Sequence, residues 1–476
     1  MPDDVLKLRV IDAELFERPV HFRMPFRFGA VTVTHAPQCF VRVRIKLADG
    51  REGDGVAAEL LVSKWFDKSP DLTHEQNFAQ LRTSLRIARG LMLASDADTA
   101  FGLSAGIEDE QHRSCRAQGL NGLIASYGLA LHERAIIDAL GRILKEDVFS
   151  LVRRNALGIT AARTPDLSGF NLPAFLARLQ ASDRIAVRHT VGLADTLTDA
   201  ELDGSSRLSD GLPETLEQAI AAYGHRTFKL KLSGQADHDL ERLIKITAVL
   251  DRMAGNYKIT LDGNEQFADA DAVAALWERI KREPRLTTLR AALLFIEQPI
   301  ARAQALSRPV AELATEVALE IDESDADIDA FIRARALGYT GISSKSCKGF
   351  YRSLLNRARV EHWNSEEGAT RYFMSGEDLT TQAGIAVQQD LALATLIGMD
   401  HVERNGHHYV DGMAGAPESE QDAFLAMHPQ LYRRVNGRAR LDIVDGMLNL
   451  TSLAATHGLA VGVMPDFNAM QTMASA

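Results

Sequence analysis

From Leu8 to about Val62 apolar and polar positions alternate, which is the period of a half-buried strand. In FVRVRIKLADGREGDG, Val41, Val43 and Ile45 alternate with Arg42, Arg44 and Lys46 up to a Gly-rich turn, predicting an antiparallel sheet with one wet face. Between about Leu72 and Leu144 the apolar spacing lengthens to three and four residues, as in NGLIASYGLALHERAIIDALGRIL, and predicts helices. Sheet followed by helices reads as a separate α+β domain over residues 1–150. From about Arg184 a new unit repeats: a short apolar strand, a polar tip, then a helix. The predicted strands are RIAVRHT, TFKLKL, YKITLDGN, LLFIEQP, VALEIDES, TGISSKS, RYFMSGE and MDHVERN. Eight such units over residues 151–436 predict an α/β barrel of the (β/α)8 type, with its chemistry at the strand C-terminal ends. No GxGxxG follows the first of them, which disfavours a doubly wound sheet. The tail, residues 437–476, has strand character in GRARLDIVDGMLNL and is expected to return to the N-terminal sheet.

Within TFKLKL, Phe228, Leu230 and Leu232 share one strand face, and Lys229 and Lys231 share the other. Two ammonium groups on one face mark either an edge in water or a site. The next tips carry acids: Asp262 in LDGN, Glu297 in FIEQP and Asp322 in IDES. On neighbouring tips of a barrel these carboxylates converge, and three buried anions repel unless a cation sits among them. Oxygen-only ligands suit Mg²⁺ first and Mn²⁺ second. Glu323 adjoins Asp322 and is the fallback ligand. In GISSKSCKGF, Lys345 stands at the sixth strand tip, across the barrel from Lys231 on the second.

Composition narrows the class of function. A net charge of -11 disfavours a nucleic-acid binder and supplies no basic stripe for a membrane surface, so a small-molecule substrate is expected. The three cysteines, Cys39, Cys115 and Cys347, lack CxxC spacing, and neither an export signal nor a membrane-spanning run is evident, so a cytoplasmic location is expected. If a substrate carboxylate binds the metal, loss of the proton α to it leaves an enediolate whose charge the metal stabilises. The base must then be neutral near pH 7. Burial, Lys229 and the metal are expected to lower the Lys231 pKa for that task.

FKLKL, LDGN, FIEQP, IDES and an SSK strand, in that order, resemble the enolase superfamily, and within it the muconate-cycloisomerase-like branch with lysines on both faces. The resemblance implies that Asp262, Glu297 and Asp322 bind Mg²⁺, that Lys231 and Lys345 are opposed acid/base groups, and that Lys229 supports Lys231. It implies a capping domain closing over the site near MPFRFG and ELLVSKWF, so Phe26 and Trp65, with Asn264 and Glu403, are expected substrate contacts. Glu403 is also a candidate to orient Lys231. A homo-oligomer is implied as well. The expected reaction is a racemisation, epimerisation or cycloisomerisation. Acid-sugar dehydration is the alternative within the family; a Schiff-base lysine aldolase and a catalytically silent barrel are alternatives outside that chemistry. The sequence departs from the family pattern in SCKGF after Lys345 and in the added KREPRLTTLRAA before Glu297. His407 and His408, in NGHHYVDGM, are expected in a surface loop.

Overall fold

The alternating N-terminal segment forms three antiparallel strands in a computed structural model that describes residues 6–29, 31–202 and 207–473. They are β1 (Leu8–Phe28), β2 (Val31–Leu47) and β3 (Glu52–Leu60), adjacent in that order. Val41, Val43 and Ile45 are fully buried, and of the three helices that follow, α1 (His74–Ala94), α2 (Ala100–Ala117) and α3 (Gly122–Leu144), α3 packs on β2 and β3. Thr73 and Gln76 start α1 with a capping box, each side chain bonding the other residue's backbone N–H. The α3 sequence is buried on nearly every side from Leu123 to Gly141. A helix apolar all round must be covered on both flanks; α3 lies between β3 and the turn at residues 346–348 of the second unit.

All eight strands expected beyond Arg184 form, parallel and in chain order: β4 (Arg184–Val191), β5 (Thr227–Lys231), β6 (Lys258–Asp262), β7 (Leu293–Glu297), β8 (Leu319–Ile321), β9 (Gly341–Ser344), β10 (Phe373–Gly376) and β11 (His401–Arg404). Pairing of β11 with β4 closes the barrel, with His401 opposite Ala186. The (β/α)8 barrel beneath an antiparallel capping sheet is therefore the architecture of the chain.

The tail differs in part from its expectation. Residues of GRARLDIVDGMLNL form a hairpin strand and a barrel strand: β13 (Arg438–Leu441) pairs with β12 (Tyr432–Val435), and β14 (Met447–Asn449) lies antiparallel on β4. The reason is a local vacancy in pairing. β5 meets β4 only from Arg188 onward, and β14 takes the backbone groups of Arg184, Ile185 and Ala186. Only β15 (Gln471–Thr472) reaches the first sheet, beside Phe16 and Glu17 of β1. Among the described residues no helix is long and apolar enough to cross a membrane. Residues 1–5, part of the stretch on which the absence of an export signal was expected, lie outside the described residues.

Candidate active site

Strand register places the chemistry. Lys231 lies beside Asp262 across β5 and β6, and Asp262 beside Glu297 across β6 and β7. Asp322 follows the last residue of β8 and Lys345 the last residue of β9. Every one of these side chains is buried, as are Phe228 and Leu230, so neither face of β5 is wet: the lysine face is the barrel lumen. The turn after Asp262 demands its glycine. A Cβ on Gly263 would lie 2.5 Å from Pro299 Cα, so the LDGN turn and the EQP turn touch through that position. Gly263→Ala is expected to cost about 1–3 kcal/mol by overpacking and to weaken metal binding by displacing Asp262; unchanged denaturation and metal titration curves would show that the contact yields freely.

Lysines hold the acids. Lys229 Nζ lies 2.7 Å from Glu297 Oε2, 2.5 Å from Glu377 Oε2, and 3.0 Å from both Asp262 Oδ2 and Glu403 Oε2. Lys231 Nζ donates to Asp262 Oδ2 at 2.6 Å, and Lys345 Nζ to Asp322 Oδ2 at 2.5 Å. Burial opposes the Lys229 charge, but these carboxylates outweigh it and hold its pKa well above the ordinary lysine value. Lys345 is raised in the same way, burial opposing and Asp322 prevailing. Lys229 and Lys345 are thus raised where their ammonium groups sit directly on the acids. The acids respond unequally. Asp262 and Asp322 are held below the carboxylate range, their lysines overcoming burial. Burial, Asp262 and Glu377 push Glu297 well above it, and burial and Glu377 push Glu320 up to about 8.

The capping domain supplies the roof. Phe26, Phe28, Val62 and Trp65 line one small cavity, about 30 Å³, together with Lys229, Lys231, Asp262, Asp322 and Lys345. The Lys345 ammonium stands 4.8 Å from the centre of the Trp65 ring, within cation–π range. Asn264 and Glu403 line the same cavity. Asn264, at a positive φ of 41°, donates its backbone N–H to Asp262 Oδ1 at 2.8 Å. Arg302 fixes the roof to the barrel by donating to the carbonyls of Trp65 and Phe66 while pairing with Glu265.

Several placements differ from the sequence reading. Glu403 pairs with Lys229 and accepts from Thr190 and Asn405, so it orients Lys229 rather than Lys231. Glu323 turns toward the roof, where Lys68 Nζ reaches it at 3.1 Å and also bonds Glu265 and the Asn264 carbonyl. His407 and His408 are not in a surface loop. They occupy a helical turn, Gly406–Tyr409, with His408 buried, because Tyr409 packs on Phe26 and the turn lies against β4. Lys68 and Arg188 were missed, and Lys348 and Glu377, in the turns after β9 and β10, were not assigned a role. Arg188 pairs with Glu377 inside the barrel, and the inward face of RIAVRHT signals it by alternation. Lys348 donates to Ser343 and approaches Asp322 and Asp325.

The donor set suits a hard divalent cation. Asp262, Glu297 and Asp322 present only oxygen, Glu323 Oε2 and Asn264 Oδ1 beside them are buried without a hydrogen-bond partner, and Glu297 is too crowded by like charge to stay ionised readily. Among the described residues, the carboxylates whose oxygens come within 4.8 Å of one another are those of Glu297, Glu320 and Glu377, and of the expected ligands only Glu297 is among them. Positive charge beyond the lysines has a place here.

Residues 211–419, from before β5 to beyond β11, match the family described as enolase C-terminal domain-like. That stretch of the barrel is similar to this family. Solved structures of enolase-superfamily proteins align along nearly the whole chain. A muconate lactonizing enzyme from Mucobacterium smegmatis, solved with muconolactone, is 20% identical over 98% of this chain and 100% of its own, with TM-score 0.57. A 2-chloromuconate cycloisomerase from Rhodococcus opacus is 16% identical over 97% and 98%, with TM-score 0.58. An enolase from Bradyrhizobium, solved with magnesium and mandelic acid, is 15% identical over 98% and 99%, with TM-score 0.59. At these identities the likeness speaks for the shared fold. No curated protein sequence matches the chain. In this barrel the residues at the tips of β5 to β9 occupy the end where (β/α)8 folds place their chemistry.

Proposed function

We propose that the protein is a Mg²⁺-dependent isomerase that removes and returns the proton α to the carboxylate of a small carboxylic acid. One observation carries the reading: Lys231 and Lys345 reach a single cavity from β5 and β9, four places apart around a closed ring of eight strands. Groups so opposed address both faces of one carbon. Asp262, Glu297 and Asp322 would hold the magnesium ion. When bound, it supplies positive charge against the anion that develops as the proton leaves.

The chain's own residues do the rest. Lys231 takes the proton from one face and Lys345 delivers one to the other, each released from the aspartate that now holds it. Lys229, fixed by four carboxylates, remains charged beside Lys231. Trp65 and Phe26 exclude water from the reacting carbon.

Isomerisation is preferred to acid-sugar dehydration because of the roof. Phe26, Phe28, Val62, Trp65 and Leu379 give the cavity an apolar wall opposite its charged floor, and a polyhydroxy acid would leave hydroxyls unpaired against it. The substrate is then a carboxylic acid with a largely apolar body. Proton NMR in D₂O with Mg²⁺, on pooled N-acyl amino acids, dipeptides, aryl hydroxy acids and lactones, is expected to show loss of an α-proton signal without loss of a hydroxyl. Turnover confined to acid sugars, with water eliminated, would overturn the preference.

A further inference from the structure

Outside the barrel wall, away from the cavity, four histidines crowd together. Arg188 and Thr190 face the lumen, where they bond Glu377 and Glu403, so alternation along β4 turns His189 outward. There it meets His225, from the approach to β5, and His407 and His408, from the turn after β11. The His189 and His225 rings stack 4.7 Å apart, and His407 lies 5.3 Å from the first and 5.2 Å from the second. One ring nitrogen from each of His189, His225 and His407 comes within 4.8 Å of the other two, and His189 Nδ1 is 3.2 Å from His407 Nε2.

The surroundings leave these rings unsatisfied. His225 is fully buried and neither of its nitrogens has a hydrogen-bond partner; Nδ1 of His407 and of His408 also lack one. The rings beside the cluster are Tyr223, Phe228 and Tyr409, which offer no carboxylate. His189 finds only another ring of the cluster, His407, as its partner. A buried polar atom without a partner is destabilising, and several gathered at one point call for a shared partner.

We propose that His189, His225 and His407 bind a borderline transition-metal ion, zinc(II) foremost, at a site separate from the acidic triad. Zinc accepts imidazole nitrogens about 2.0–2.1 Å from the metal, so tetrahedral ligands stand about 3.3 Å apart; the His189–His407 pair already has that spacing. Nitrogen-only donors select against the magnesium that suits the carboxylates. A fourth ligand can approach through the small cavity lined by His407, Tyr223, Arg433 and Arg440. The metal would tie β4 and the lead-in to β5 to the turn after β11. That turn carries Asn405, which bonds Glu403, and the His408 carbonyl, which accepts from Arg23 of β1 at 2.8 Å. Gly406 is required there, since a Cβ would lie 2.1 Å from the Thr381 carbonyl.

The test uses the full chain, stripped by chelator, returned to excess Mg²⁺ and titrated with ZnCl₂ or CoCl₂. One zinc per chain is expected to survive desalting, to raise the melting temperature and, as cobalt, to give the visible absorption of a four-coordinate ion. Asp262→Asn keeps this ion, whereas His189→Ala and His225→Ala bind it at least about tenfold more weakly. The proposal fails if zinc binding is lost in Asp262→Asn, if it persists in both histidine variants, or if the wild type takes up no zinc in excess Mg²⁺. Should a histidine variant not fold, wild type and Asp262→Asn decide the matter between them.

Discussion

Lys231→Ala and Lys345→Ala are each expected to lower turnover by about 10²–10⁴-fold, the usual contribution of a positioned acid or base. The two losses should differ in kind. With an enantiomeric pair of substrates, Lys231→Ala should abolish α-proton exchange from one enantiomer while sparing exchange from the other, and Lys345→Ala should do the reverse. The reasoning rests on placement: the lysines stand on opposed strands, and each is tied to a different aspartate, Asp262 or Asp322. A variant that removes one leaves the other group's partner in place. Deuterium exchange followed by NMR for each enantiomer separates the two faces. Equal loss from both enantiomers in one variant, with none in the other, would reduce the chemistry to a single base and sink the two-lysine reading.

Lys229→Met should destabilise the metal-free protein by about 3–5 kcal/mol, the scale for removing one partner of a buried ion pair. Its ammonium alone touches four buried carboxylates, those of Asp262, Glu297, Glu377 and Glu403. Without it, Lys231 still pairs with Asp262 and Arg188 with Glu377, but Glu297 and Glu403 lose the ammonium that screens them from these neighbours. Mg²⁺ should therefore raise the melting temperature of the variant by more than it raises that of the wild type, because it meets a larger uncompensated charge. Urea denaturation in chelator and in Mg²⁺ gives both numbers. Equal stability of variant and wild type in chelator would mean that the carboxylates take up protons freely and that Lys229 is not their counter-ion.

The barrel was legible because each strand is a short apolar run with a polar tip, and because side-chain period two puts Lys229 and Lys231 on one face without further information. The acids were legible for the same reason: Asp262, Glu297 and Asp322 each stand at the end of an apolar run. What was not legible depends on contacts between distant segments. Lys68 is an unremarked lysine until β3 and the turn beyond it carry it to Glu323. His407 and His408 sit in a polar stretch that resembles a loop, and nothing near them announces His189 or His225. The raised pKa of Lys229 and Lys345 was not legible, because it comes from carboxylates on other strands that accept directly from their ammonium groups. The tail was placed on the capping sheet because strand pattern does not say which edge is free, and the free edge was on β4.

That edge bears on how the chain is made. β4 emerges early during synthesis, yet its partner β11 is more than two hundred residues away and β14 is later still. Until both arrive, β4 shows a row of unpaired N–H and C=O groups flanked by Ile185 and Val187, a template for pairing between nascent chains. Contacts so remote in sequence form slowly. Expression at low temperature or with a chaperone that covers extended apolar segments should accordingly favour soluble protein, and truncation before β14 should send the product into aggregates rather than leave an open but soluble barrel.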